Sequence, residues 1–323
     1  EVTELRDTLH KEESANILVF LAYLDKHKVL LDELQLATWL PFEDIPEATL
    51  RQDDVLFKKL QQLISSIKDN ILQLNVDSKQ ERSRQLNEAD RQSRQIKAAQ
   101  QSGNAMVPTE EDFEHDPILR DINNTYRITS IIGQVVKNQR DTVEHDTLIS
   151  LIEDTYRANF RFINYIADML SREKKEIIDG FIANNPRAQS MKYSELERRV
   201  GVLLQQLLLK LTYGTFTHLS VSVGTGGIDK YYDEVASKID SPAADVISFT
   251  IKSYYAPMKI SELEYLMNKY KNNIVVTNFL RARVRAYVYN HELTREKKQQ
   301  FGQIAGMRMI DSHAAALAKR NKR

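Results

Sequence analysis

The sequence predicts an all-α fold, an irregular antiparallel array of helices in two blocks with at most one short strand pair. Two observations carry this prediction. The 10 Gly and 7 Pro make up only about 5% of the 323 residues, against roughly 12% in average proteins, so helix-breaking residues are scarce. Apolar residues recur at steps of three and four over most of the chain, which is the spacing of one helix face. No repeat of fixed period is present, so we expect an irregular array rather than a regular solenoid.

Residues 1–76 form the first predicted block. Ser14 is a suitable N-cap for an amphipathic helix, and the polar residues 25–28 separate it from a second helix that ends before Pro41. These two helices predict a helix-turn-helix-like unit. Apolar positions at helical spacing from 56 to 74 then predict a longer helix that begins near residue 50.

The stretch 77–115 is the predicted boundary between the blocks. Over residues 77–107 its only large apolar side chains are Leu86, Ile96, Met106 and Val107. Such a segment buries too little apolar surface to offset the entropy of ordering. We therefore predict either a solvated helix or a disordered linker.

Residues 116–292 form the predicted main helical domain, and residues 293–323 a basic tail. Asp116 and Pro117 suit the N-cap and first position of a helix. A turn is predicted at 138–142 and a helix break at 171–173. Weak alternation at 217–223 makes that stretch the best strand candidate. The other predicted helices cover residues 194–211, 242–255, 260–270 and 274–289.

The most apolar window, residues 200–223, contains Gln205, Gln206, Lys210 and His218. These polar groups are costly in a bilayer, so the window predicts buried core with a turn and no membrane span. The chain has no cysteine, which excludes disulfides and thiolate metal sites and fits a cytoplasmic location. It begins at Glu1 without a signal pattern, from which we expect a piece of a longer protein.

Catalytic and cofactor motifs are weak. The loop at 224–230 lacks the Gly-Lys-Ser/Thr ending of a phosphate-binding loop, because Tyr231 follows Lys230, and it predicts a mobile connection. No two of the seven His stand one helical turn apart, as a helical metal site requires. We therefore expect no cofactor, no metal and no enzymatic activity from this chain.

Zero net charge conceals an uneven distribution. Residues 281–323 hold 11 basic and 3 acidic side chains, a balance of +8, and the rest of the chain balances it. Six side chains here are candidate contacts to a partner or to nucleic acid: Arg281, Arg283, Arg285, Tyr289, Lys297 and Lys298. Basic and aromatic residues in alternation suit phosphate contacts. The alternative is that the arginines pair with acidic groups of this chain or of a protein partner.

Two passages resemble helical segments of bacterial STAND-type defence NTPases: SANILVFLAYLD at 14–25 with VLLDEL at 29–34, and ITSIIGQVVKN at 128–138 continuing through 148–163. The resemblance implies the C-terminal, post-NTPase sensor arm of an antiviral protein, in which target sensing drives oligomerisation. No Walker motif or effector signature lies in this chain, so no nucleotide-binding residue is carried over.

These observations together predict a non-catalytic helical sensor or scaffold that mediates protein–protein recognition or oligomerisation. The alternative is a helical protein that binds nucleic acid through its basic C-terminal region. We expect a protein partner or self-association and no membrane insertion.

Overall fold

A computed structural model describes residues 1–24, 28–66, 70–101, 108–185 and 191–311. Within these ranges the chain forms fifteen helices and one two-stranded parallel sheet, which confirms the all-α class with a single short strand pair. In chain order the elements are α1 (Val2–Asp7), α2 (Glu12–Leu24), α3 (Lys28–Trp39), α4 (Val55–Ser66), β1 (Ile71–Gln73), α5 (Ser78–Gln101), α6 (Glu110–His115), α7 (Pro117–Gln139), α8 (His145–Arg172), α9 (Lys174–Asn184), α10 (Tyr193–Val223), α11 (Asp229–Ile239), α12 (Pro242–Tyr255), α13 (Ile260–Lys269), α14 (Ile274–Asn290), α15 (Arg295–Ile304) and β2 (Arg308–Ile310).

The chain folds into two compact units, each built from two separate stretches. Unit 1 comprises Glu1–Ser66 and Phe113–Ala256, and unit 2 comprises Ile67–Asp112 and Pro257–Arg323. This division differs from the predicted boundaries at 76, 115 and 292. The first predicted block packs on α7 and α8, and the start of the predicted tail is helix α15, which packs on α14.

Helix α8 is the central helix of unit 1. It contacts α3, α4, α7, α10 and α11, and it is buried along most of its length. Tyr156 and Phe160 are fully buried, and the Phe160 ring lies 6.1 Å from the ring of Phe216 on α10. Burial of such aromatic side chains is the main stabilising term of this core.

The predicted ends of several helices in unit 1 are confirmed. The Asp116 carboxylate accepts hydrogen bonds from the backbone N–H groups of Ile118 (2.8 Å) and Leu119 (3.2 Å), and Pro117 is the first helical residue. The predicted break at 171–173 falls where α8 ends at Arg172 and α9 begins at Lys174. Capping of this kind satisfies amide groups that have no partner within the helix.

Two predictions about α10 were wrong. The strand candidate at 217–223 belongs to this helix, which is continuous to Val223 and contains no turn within 200–223. Leu219 and Val223 are buried because they stand one helical turn apart, whereas Val221 between them is 46% exposed. Three β-branched or apolar residues at alternate positions therefore produced a strand-like pattern without a sheet.

The helix predicted over 50–74 is shorter in the structure. Helix α4 covers Val55–Ser66, and Ile71–Gln73 form strand β1. Ser14, predicted as an N-cap, lies inside α2, where its hydroxyl is 2.8 Å from the Thr8 hydroxyl. Of the two alternatives predicted for the polar stretch after residue 77, the structure shows the helix, α5. Residues 102–107 lie outside the described part.

Unit 2 is organised around α14, which contacts α5, α13 and α15. Strands β1 and β2 pair in parallel, with Leu72 opposite Met309. Gly302 of α15 lies directly over this pair, because a Cβ atom at that position would stand 3.1 Å from Leu72 and 3.0 Å from Met309. An alanine there would require the Met309 and Leu72 side chains to shift by a few tenths of an ångström.

Candidate protein-recognition surface

The six predicted contact residues lie on α14 and α15 of unit 2, around the strand pair. Arg281 donates from Nε to the carbonyl of Ala305 at 2.8 Å, and burial lowers its pKa. Arg285 donates from Nε to the carbonyl of Ile71 at 3.1 Å. Each guanidinium group therefore donates one hydrogen bond to a backbone carbonyl of unit 2.

Lys298 and Tyr289 hold the backbone next to strand β1. The Lys298 ammonium is buried and donates to the carbonyls of Leu74 (3.3 Å) and Val76 (3.0 Å). The Tyr289 hydroxyl accepts a hydrogen bond from the backbone N–H of Gln73 at 3.1 Å. A buried ammonium with two carbonyl acceptors is a structural group, because its desolvation must be balanced by such bonds.

The remaining two candidates differ in exposure. Arg283 is buried, at 8% exposure, whereas Lys297 is exposed to solvent. Lys297 is thus the one exposed residue of the six. All six residues lie on α14 and α15, and the polar groups of four of them have carbonyl or amide partners inside unit 2.

The glycine-containing loop after α10 is held by side chains. The Tyr232 hydroxyl donates to the carbonyl of Val223 and accepts from the backbone N–H of Thr225, both at 2.9 Å. Arg140 donates to the Thr225 hydroxyl at 3.2 Å and also to the carbonyl of Gly226. These bonds tie the loop to α7 and α11, where the sequence predicted a mobile connection.

One group of exposed apolar side chains lies on α9 and α10, and another lies on α2 and α3. Helices α9 and α10 share a small core in which Ile178 packs on Leu196 and Val200. Around this core several large apolar side chains are between 37% and 58% exposed: Ile177, Phe181, Tyr193, Val202, Leu203 and Leu207. The prediction that residues 200–223 form buried core was therefore wrong for this face. A long helix that packs against other helices on some sides exposes its remaining side to solvent.

A cleft of about 440 Å³ opens between α4, α8, α9 and α10. Its apolar lining is formed by Val55, Ala167, Leu170, Leu204 and Leu208. Its polar lining includes three lysines and no carboxylate: Lys58, Lys59, Gln62, Ser171, Lys174 and Gln205. We call the cleft, together with the exposed apolar side chains of α9 and α10, the recognition surface.

The lysines of the cleft differ in their environments. Lys59 donates to the carbonyl of Ala167 at 2.5 Å, and burial lowers its pKa. Lys174 forms an ion pair with Glu197 at 2.9 Å, and Lys58 is exposed. The amide of Gln205 donates to Gln62 at 3.0 Å and so joins α10 to α4 across the cleft. The cleft is therefore apolar within, and of its three lysines Lys58 is exposed whereas Lys59 and Lys174 have partners within unit 1.

Sequence reasoning missed this surface because it treated the apolar window as core. A signal was present: apolar residues at 196, 200, 203 and 207 continue one helical stripe past the short helix α9 that covers its start. In the described part of the chain, no helix has the length and apolar character needed to cross a membrane. Comparison with protein families, curated proteins and solved structures gave no match.

Proposed function

We propose that this chain is a non-catalytic helical scaffold that binds proteins through the recognition surface. The observation that carries the proposal is the set of exposed apolar side chains on α9 and α10 beside an apolar cleft. Contiguous exposed apolar surface on a soluble protein marks an interaction site more often than not. The resemblance to STAND-type NTPases supports the same role, that of a sensor arm.

The cleft selects the chemistry of the partner. A groove between helices suits an amphipathic helix that inserts apolar side chains. The exposed Lys58 and the lack of carboxylates in the lining favour acidic residues beside those anchors. We therefore propose a partner segment that is helical, apolar on one face and negatively charged at its edges.

The nucleic-acid alternative is the weaker proposal. It depended on the basic and aromatic side chains of α14 and α15, and most of their polar groups are used within unit 2. Lys297 remains exposed, and the basic residues after 311 lie outside the described part. Phosphate contacts would make affinity fall steeply with salt, whereas an apolar protein interface would not.

Affinity capture of the native protein with and without nuclease, read by mass spectrometry, tests the proposal. We expect a protein that stays bound after nuclease treatment and at raised salt. The double variant Ile177→Asp/Phe181→Asp and the variant Lys58→Glu should each release it. Leu86→Asp is the matched control, since Leu86 is 68% exposed on α5 of unit 2. Capture of nucleic acid alone, lost with salt, would replace the proposal with the alternative.

A further inference from the structure

Helix α10 carries an unpartnered stripe with the spacing of a coiled coil. Its positions follow alternating steps of four and three residues, the heptad pattern of two packed helices. The first two, Leu196 and Val200, are 2% and 5% exposed because α9 covers them. The later positions are all exposed, and we call them the seam: Leu203, Leu207, Lys210, Gly214, Thr217 and Val221.

The seam is nearly free of charge. Lys210 is the single charged residue between Val200 and Val223. The solvent-facing side of a surface helix normally carries several charged residues. Here Leu203, Leu207 and Val221 are 58%, 43% and 46% exposed instead. The helix presents an apolar face where a hydrated face is expected.

Gly214 is the seam position that carries no side chain. Glycine inside a helix costs about 1 kcal/mol relative to alanine. At Gly133 the fold requires glycine, because a Cβ atom would stand 2.2 Å from the Ser222 carbonyl oxygen. At Gly214, as at Gly180 of α9, a Cβ atom would meet nothing within 4 Å, so packing within the described part of the chain requires glycine at neither position.

We propose that the seam is a homodimer interface, in which α10 packs antiparallel on α10 of a second copy. A two-fold axis level with Thr212 places Leu203 opposite Val221, Leu207 opposite Thr217 and Lys210 opposite Gly214. Each pair then occurs twice, as two-fold symmetry requires, and Leu207 and Lys210 face the smaller Thr217 and Gly214. The Lys210 stem covers the partner glycine while its ammonium reaches solvent.

The parallel arrangement is less favourable for the same residues. It would place Lys210 opposite Lys210 and Gly214 opposite Gly214, which joins like charges and leaves a gap. Within one chain, α9 covers the first part of the stripe on α10. In the antiparallel dimer the second copy covers the part of the stripe that follows. The match of the seam to its own reverse is what identifies the occupant as a second copy.

The expected dimer is weak. The seam spans 19 residues, with a rise of about 27 Å from Leu203 to Val221, and one helix pair of this length buries less than the roughly 800 Å² per partner of a standard interface. We expect a dissociation constant on the order of 10 μM. The inference rests on the proposed recognition role and assigns one part of the recognition surface, the seam, to self-association.

Sedimentation equilibrium of the full chain from about 1 to 200 μM measures the dimer. Gly214→Leu should raise the dissociation constant at least tenfold, because its side chain would keep the two backbones apart. Gly180→Leu is the matched control: Gly180 is an exposed glycine of α9 whose Cβ would also meet nothing within 4 Å, and it lies off the seam. It should leave the constant within twofold, and both variants should keep the helical circular dichroism of the parent chain.

Cysteine cross-linking tests the register, since the chain contains no cysteine of its own. On oxidation, a mixture of the Leu207→Cys and Thr217→Cys proteins should give a disulfide-linked heterodimer faster than either protein alone gives a homodimer. Faster homodimers of each single variant would overturn the antiparallel register. A chain that stays monomeric at 200 μM would overturn the dimer. The proposed function would still stand if the captured protein partner were then released by Lys58→Glu.

Discussion

The crossing of α7 and α10 depends on a single atom that glycine lacks. Gly133→Ala places a Cβ atom 2.2 Å from the carbonyl oxygen and 2.6 Å from the carbonyl carbon of Ser222. Backbone cannot move aside as a flexible side chain does, so the helices must separate. We expect a loss of about 3 kcal/mol in the free energy of unfolding, measured by urea denaturation.

Gly180→Ala is the control for this variant, because it adds the same methyl group to an open helix position. We expect it to raise the free energy of unfolding by up to about 1 kcal/mol. Equal effects of the two variants would contradict the close helix crossing.

Two histidines of unit 1 make stability depend on pH. Burial lowers the pKa of both His10 and His218, and the nearby Lys11 adds to the effect at His10. A histidine with a lowered folded-state pKa binds its proton more weakly when folded. Its contribution to stability is therefore present above the unfolded pKa of about 6.5 and is lost as pH falls below it.

We accordingly expect the free energy of unfolding to decrease between pH 7.5 and 5. The variant His10→Gln/His218→Gln should show a flatter decrease over that range, in urea denaturation at a series of pH values. The glutamine side chains that replace the histidines do not titrate, so parallel curves for parent and variant would show that other groups dominate the pH dependence.

At the scale of elements, the N-cap of α7 makes a measurable contribution to the free energy of unfolding. Asp116→Ala removes the acceptor of two backbone hydrogen bonds, and we expect a loss of about 1 kcal/mol in unfolding free energy. Asp116→Asn keeps a side-chain oxygen in place and should lose only a few tenths of that. Thermal unfolding of the two variants side by side distinguishes the cap from the charge.

The strand pair of unit 2 depends on a buried lysine. Lys298→Met leaves the carbonyls of Leu74 and Val76 without their ammonium donor, and we expect a loss of about 2 kcal/mol or more. Lys297→Met, at the exposed neighbouring position, should stay within about 0.5 kcal/mol of the parent chain. A larger effect at Lys297 would reverse the roles assigned to these two residues.

At the scale of the whole molecule, the two units should respond separately to mutation. Each has its own buried core, and each joins stretches that are distant in sequence. Hydrogen exchange followed by mass spectrometry should show faster exchange within Glu1–Ser66 and Phe113–Ala256 for Gly133→Ala. For Lys298→Met the faster exchange should appear in the stretches of unit 2. Increases spread evenly over both units for either variant would contradict this division.

Local signals predicted the helical fold well. Three signals act through neighbouring residues and can therefore be recognised in the sequence: the scarcity of Gly and Pro, the Asp116 cap and the break at 171–173. The basic candidates Arg281, Arg285 and Lys298 are structural groups of unit 2. Their hydrogen bonds to the carbonyls of Ile71, Leu74 and Val76 could not be predicted from sequence, because these carbonyls lie more than two hundred residues away in the chain.

The sequence by itself therefore determined the helix-forming class of this protein and several of the helix ends, since both depend on interactions within a few residues. The tertiary structure alone decided which stretches join each unit, that residues 71–73 become a strand, and that Leu203 and Leu207 face solvent. Periodicity shows that a helix has an apolar face, but it does not show what covers that face. Helix α9 is too short to cover the stripe on α10, and the surface proposed here for binding is the part that it leaves exposed.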